Sequence, residues 1–227
     1  MDIHKPKPWH GLRAFLKEYA IIVLGVLTAI TLEQTVEQLH WRHEVKMTHA
    51  ALAEEMADDN AAFAFRIAAR PCIERRLDFL EDVIERASKH QTVPILGRVI
   101  TRIGWALNDN EWEIGRASQT LNHFDDKELS VLSGYYLQIG TARHFILGEM
   151  EIWGVLKVLK GDPARLGSVD IAGLRVAVQN ARADNQLIAA IAEEELASAR
   201  QLHMHVPAAD VVLVRNICEP IPEEAAE

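Results

Sequence analysis

Four residues just beyond the first apolar stretch, Glu37, His40, His43 and Glu44, have the types and spacing of metal ligands. Steps of three and four bring side chains to one helix face. Glu37-x-x-His40 is half of the paired motif with which di-iron helical bundles hold their metal. The full motif needs a second Glu-x-x-His pair, and the chain has none. His40-Trp41-Arg42-His43-Glu44 also departs from the zinc-protease pattern, in which two His four apart flank the helix face with a Glu beside the first. Trp41 favours a plainer reading, a polar collar at a membrane interface, where Trp rings collect. No metal and no cofactor are expected, and these four residues are the only metal candidates carried forward.

The other chemistry-bearing residues read the same way. His203-x-His205 falls at a helix end, where an imidazolium suits the dipole. His144, Glu149 and Glu151 lie within two helical turns, and paired carboxylates can do acid–base work; helices also carry such charges routinely on solvated faces. Ser118 sits in Gly-Arg-Ala-Ser-Gln, without the strand–turn–helix elbow of a serine hydrolase. No phosphate loop or dinucleotide fingerprint is present. Trp105, Trp112, Tyr135, Tyr136 and Trp153 are aromatics at helical spacing, which more often build a core than a ligand box. No catalytic residue is assigned.

The elements that must position these groups are helical. No Gly or Pro interrupts Val26 to Arg70, and Leu52, Met56, Phe63 and Ile67 mark its buried stripe. Pro71 should end that helix or start the next, whose stripe is Ile73, Leu77, Leu80 and Ile84, closing near Ser88–Pro94. Ile95, Val99, Ile103 and Leu107 predict a short third helix, Asn108-Asp109-Asn110 a turn, and 111–123 a fourth helix. Asp125 should cap a fifth, with stripe Leu129, Leu132, Tyr136, Ile139, Ile146 and Trp153 and a stop at Lys160-Gly161-Asp162-Pro163. Ser168 should cap the last long helix. There Ile171, Leu174, Val178, Ala181, Asn185 and Ile188 form a coiled-coil-like seam, read first as packing within the bundle and second as dimerisation. The β-branched run Val211–Val214 predicts an extended C-terminal segment. The fold class is thus all-α, an N-terminal transmembrane helix continuous with a helical bundle.

The uncharged run Tyr19–Leu32 falls short of the roughly 20 apolar residues of a full span. Phe15 and Leu16 before it, with Thr35, Val36 and Leu39 after it, extend the apolar face, and Lys17 can snorkel. Glu33 must sit at the far interface or face a partner helix. Ala-Ile-Thr-Leu-Glu-Gln-Thr is a poor signal-peptidase site, and an in-plane helix would carry charges along one face. Gly25 and Ala29 make a small-xxx-small step suited to a second helix. Lys5, Lys7, Arg13 and Lys17 precede the run, with Trp9 as an interfacial anchor, whereas 33–52 carries only Arg42 and Lys46. The positive-inside rule then places residues 1–18 in the cytoplasm, 19–40 in and leaving the membrane, a helical bundle over 41–205 beyond it, and an extended segment with acidic tail at 206–227.

The chain has 227 residues and a formal net charge of −9, enough length for one proper core after the anchor. An acidic balance argues against nucleic acid, which wants basic patches. Two cysteines, Cys72 and Cys218, in an oxidising compartment suggest a disulfide that would strap the C-terminal segment to the bundle.

The start HKPKPWHGLRAFLKEYAIIVLGVLTAITLEQ resembles a set of uncharacterised bacterial inner-membrane proteins, in which a short basic tail precedes one span ending in a Glu-Gln-like pair. The stretch EWEIGRASQTLNHFDDKELSVLSGYY is similar to their second block: an aromatic, a Ser with small neighbours, a Leu, an acidic turn and a helix ending near a Tyr pair. Gln119 stands where that block has Gly. The resemblance implies a single-pass anchor and a helical extramembrane domain, and it supplies no activity. The expectation is a non-enzymatic, membrane-anchored periplasmic interaction or accessory subunit in a bacterial inner membrane. Its partners would be membrane lipid and a membrane or periplasmic protein contacted through Trp112, Tyr135 and Tyr136, or a second copy of the chain. The alternative is a periplasmic small-molecule sensor and, after that, a membrane-bound metalloenzyme.

Overall fold

The computed structural model describes residues 11–94, 96–97, 99, 106–161 and 165–220. Its helices are α1 (Leu12–Ser88), α2 (Asn110–Ala117), α3 (Asp126–Leu156), α4 (Ser168–Gln201) and α5 (Val211–Cys218), with 3₁₀ turns at Thr120–His123 and Lys157–Lys160. The architecture is all-α, in two compact units, Met1–Met47 and Thr48–Glu227. The tail residues Lys5 and Lys7, Trp9, Ile95, Ile103, Trp105 and Pro163 lie outside the described residues.

In the first unit, α1 carries a stretch long and apolar enough to cross a membrane, none of it buried. Its threonine hydroxyls are satisfied within the helix. Thr28 donates to the Leu24 and Gly25 carbonyls, both at 2.9 Å, Thr31 to Leu27 at 2.7 Å and Thr35 to Thr31 at 2.7 Å. A hydroxyl bonded one turn back needs no water, which is the requirement of an apolar surrounding.

In the second unit, the C-terminal part of α1 packs with α3 and α4. Ile73, Leu77, Leu80 and Ile84 of α1 join Trp153 and Leu156 of α3 and Ile171, Leu174 and Val178 of α4 in one apolar cluster. Each is a position on a helical stripe, so burial of these faces accounts for the bundle. Inside it lies an ionic node. Arg66 donates from Nη1 and Nη2 to the two Glu149 carboxylate oxygens at 2.9 and 2.6 Å, and from Nη2 to Asn185 Oδ1 at 3.3 Å. Asn185 Nδ2 in turn donates to the Arg70 carbonyl and to Glu74 Oε2, each at 3.3 Å. The seam of α4 is therefore used within the chain, against α1 and α3.

Several boundaries differ from the sequence reading. Pro71 lies inside α1 rather than at a junction. Proline removes one helical N–H, but Ala69, Cys72 and Ile73 beside it are buried and the neighbouring Arg70 carbonyl is engaged by Asn185. Packing thus outweighs the local penalty. The expected third helix is absent among the described residues: Leu96, Val99 and Leu107 are buried, yet none is helical. The fourth helix stops at Ala117, because Gln119 takes the left-handed conformation, φ 63°. Gly is the residue that meets no steric cost in that conformation.

Asp125 caps α3, accepting from the Lys127 and Glu128 amides at 3.0 and 3.3 Å. Gly167 rather than Ser168 is the N-cap of α4, its amide donating to Asp170 Oδ2 at 2.8 Å. The C-terminal segment is not extended at 211–218: it is α5. Asp210 accepts from the Val212 and Leu213 amides at 2.8 and 3.1 Å, and Leu213, Val214 and Ile217 then fall on one face against the core. A good cap and an apolar helix face override β-branched preference. Cys72 and Cys218 meet at disulfide distance, Cα to Cα 4.8 Å, which straps α5 to α1.

The node generates a prediction. Glu149→Leu should strip the buried Arg66 of its counter-charge and destabilise the protein by about 3–5 kcal/mol in urea unfolding. Adding Arg66→Met should recover most of that loss. A double variant no more stable than Glu149→Leu would show that the pair itself is not the source of the cost.

Candidate functional site

The polar groups concentrate where α1 meets the chain between 107 and 111. Asp59 Oδ1 accepts from the Asn108 amide at 3.0 Å, and Glu55 Oε2 accepts from the Glu111 amide at 2.9 Å. Arg143 of α3 holds the other side of that segment. Its Nη2 lies 2.9 Å from Asp109 Oδ1 and donates to the Leu107 carbonyl at 3.0 Å. The irregular segment at 107–109, where the sequence predicts a turn, is thus pinned by two acidic side chains of α1 and a guanidinium of α3, and Asn110 already opens α2.

Trp112, Tyr135 and Tyr136 come together here. Trp112 stacks on Tyr136, centroids 4.9 Å apart and 11° from parallel, and Tyr135 meets Tyr136 edge-on at 5.3 Å. The Tyr136 hydroxyl donates to Glu55 Oε1 at 3.0 Å and the Tyr135 hydroxyl to Asn60 Oδ1 at 3.2 Å. Asn60 passes the chain on through Nδ2 to the His205 carbonyl at 2.9 Å. Tyr135 is 0% exposed and Tyr136 5%. The rings and hydroxyls of both tyrosines are thus engaged inside the bundle, and of the three expected contact residues the half-buried Trp112 alone reaches its surface. Gly115, in the same block, is closely packed, and any Cβ there would require its neighbours to shift. A Cβ there would come within 3.1 Å of Leu121 and 3.2 Å of Thr48.

The remaining candidates separate. Glu37, on α1, accepts a long bond, 3.5 Å, from the Trp41 indole, and the His40 ring lies against Trp41 at 5.3 Å. Among the described residues no three His, Cys, Asp or Glu converge on one point, and Glu37, His40, His43 and Glu44 are included in that statement. Glu149 is buried against Arg66, whereas His144 and Glu151 face outward, so the three do not share a side. Ser118 Oγ is bound to the Gly115 carbonyl at 3.2 Å and to the Thr120 hydroxyl at 2.8 Å. His203 follows α4 with a left-handed backbone, φ 56°. Trp153 is buried in the apolar cluster, apart from the Trp112 stack.

Two carboxyls not singled out in the sequence carry the most unusual electrostatics. Asp59 and Glu195 are each 1% exposed. Burial pushes Asp59 up to about 7, aided by Glu55 and opposed by the Asn108 amide. Burial pushes Glu195 up to about 8, with Glu194 adding to it. Burial, together with Asp59, Glu195 and Glu55, also raises the Tyr135 phenol. Burial raises the Glu149 carboxyl too, and Arg66 opposes that shift. The stripe held the signal: the steps from Met56 to Phe63 pass through Asp59 and Asn60, and Glu195 continues the seam from Ile188.

No protein-family model matches the chain, and neither a curated protein nor a solved structure does.

These carboxyls set the pH response. Folded Asp59 and Glu195 hold protons at pH values where the unfolded groups, near 4, have released them. Stability should therefore fall as pH rises from about 4 to about 8, and level off above that. Glu195→Gln and Asp59→Asn should each be more stable than the parent at pH 8, by about 2 kcal/mol, with the difference closing by pH 5. Urea midpoints across that range check this; parallel parent and variant curves would contradict it.

Proposed function

We propose that the chain is a single-pass accessory or interaction subunit of a bacterial inner-membrane assembly, its N-terminus cytoplasmic and its bundle periplasmic. The observation that carries this reading is the wholly unburied apolar stretch of α1, on a chain whose second unit has a complete core of its own. An apolar helix of that length is stable against water only if something else covers it, and a bilayer does so. The excess of Lys and Arg before the stretch supports the orientation. The resemblance of the two sequence blocks supports the bacterial inner membrane.

For the contact, the outward face of α3 replaces the Trp112–Tyr136 block. Leu137, Leu147 and Val155 are 73, 56 and 53% exposed there, and Val158 in the 3₁₀ turn that follows is 56% exposed. Gly140, Gly148 and Gly154 lie among them with nothing near the site of a Cβ. Glycine in an exposed helix costs about 1 kcal/mol relative to Ala, and here no contact within the chain offsets it. Such a face lets a partner helix approach closely, with the larger apolar residues flanking the contact.

The test is purification from the native membrane in mild detergent, sized by light scattering, with components identified by mass spectrometry. A second protein at fixed stoichiometry is expected, lost in Leu137→Glu/Leu147→Glu while that variant stays in the membrane. A lone monomer, or a partner retained by the variant, would overturn the reading.

A further inference from the structure

We propose that the Cys72–Cys218 pair is a thiol-accepting site of fixed polarity, in which a small anionic thiol adds to Cys218 and Cys72 departs. The two sulfurs open into a cleft of about 320 Å³ whose walls include Arg75, Arg76, Phe79 and Glu219. They are not equivalent. Cys72 is 7% exposed in the middle of α1, whereas Cys218 is half-buried at the end of α5. Arg75 places Nη2 3.0 Å from Cys72 Sγ. A guanidinium beside a sulfur stabilises its thiolate, and the more stable thiolate is the faster leaving group in disulfide exchange. Accessibility selects Cys218 as the sulfur attacked, and charge selects Cys72 as the sulfur released; the two effects point the same way.

The charge of the cleft sets the reagent. Arg75 puts a positive charge on the wall beside Cys72, and Arg76 donates to the Glu219 carbonyl. A thiol bearing carboxylates is drawn to such a wall. The incoming thiolate forms a bond to Cys218 Sγ as the Cys72–Cys218 bond breaks, and its electron pair goes to Cys72 Sγ beside Arg75. A second thiol then attacks the mixed disulfide, releasing Cys218 as a thiol. In sum the protein gains two electrons and two protons, and two small thiols become one disulfide. Afterwards the packing of Leu213, Val214 and Ile217 and the Arg76–Glu219 contact still hold α5.

The first reading is the oxidation state of the Cys72–Cys218 pair. Full-length protein in detergent, unfolded without reductant, should take up no maleimide. Native protein treated with reduced glutathione, quenched in acid, alkylated and peptide-mapped should carry glutathione on Cys218 and the alkyl group on Cys72. Arg75→Met should slow the addition about tenfold and spread the adduct over both cysteines, whereas Arg75→Lys should keep most of the rate. Cationic cysteamine at equal thiolate concentration should react more slowly than glutathione. Maleimide on both cysteines before reduction, glutathione on Cys72, an unchanged rate in a folded Arg75→Met protein, or cysteamine as fast as glutathione would each overturn the proposal.

Discussion

The bundle depends on one buried ion pair. Arg66 and Glu149 are 4 and 1% exposed at their side chains, and the remaining bonds of the node run to Asn185 and through it to the Arg70 carbonyl and Glu74. Burying two charges is costly, and their attraction offsets the cost only in good geometry with the other polar atoms satisfied. In one relative placement of α1, α3 and α4 both terminal nitrogens of Arg66 are bonded, while its buried Nε has no hydrogen-bond partner among the described residues. Slipping any of the three by one turn would leave a charge alone in the core. Apolar stripes alone tolerate such slips, since Leu, Ile and Val positions recur every turn. The node therefore sets register, and the stripes supply the driving force. Outside it, Arg182 adds contacts to Glu74, Asp78 and Glu81, and Arg175 to Glu85. Such half-exposed pairs contribute less than about 1 kcal/mol each.

Much of this was legible in the sequence. Asp125 was readable as a cap because a short acidic side chain before an apolar run has one best use there. Lys160-Gly161 was readable as a stop, and the α4 seam by its steps of three and four. Cys72 and Cys218 were paired by count and compartment. What could not be read shares a cause: each case turns on a contact far away in the chain. Arg66 and Glu149 look like ordinary solvated helix charges until folding brings them together. Pro71 looks like a boundary until Asn185 and the core hold both sides of it. Residues 211–218 look extended until the core receives Leu213 and Ile217. Tyr135 and Tyr136 were visible as a pair, but Glu55 and Asn60, which take their hydroxyls, give no sign of that role in the sequence.

The polar layer around Asp59, Asn60 and Glu195 is a different kind of expense. Burial raises its Asp59 and Glu195 carboxyls toward the neutral form, and its phenols bond to α1 side chains. The layer organises the segment at 107–111 and the stack of Trp112 on Tyr136, so the same groups that cost stability at high pH also shape the surface above them. Among the described residues of the first unit, the threonine hydroxyls are bonded within the helix and the apolar side chains of the long stretch are uncovered.

The central claim, that α1 crosses a membrane with the bundle beyond it, is tested most directly by protease access. Cells carrying the chain with a tag after Glu227 are converted to spheroplasts, treated with protease, and their membranes then extracted at alkaline pH. The account predicts that the tag is digested in intact spheroplasts while an N-terminal fragment stays in the extracted membrane. A tag protected until the spheroplasts are lysed, or a chain released by alkali, would contradict it.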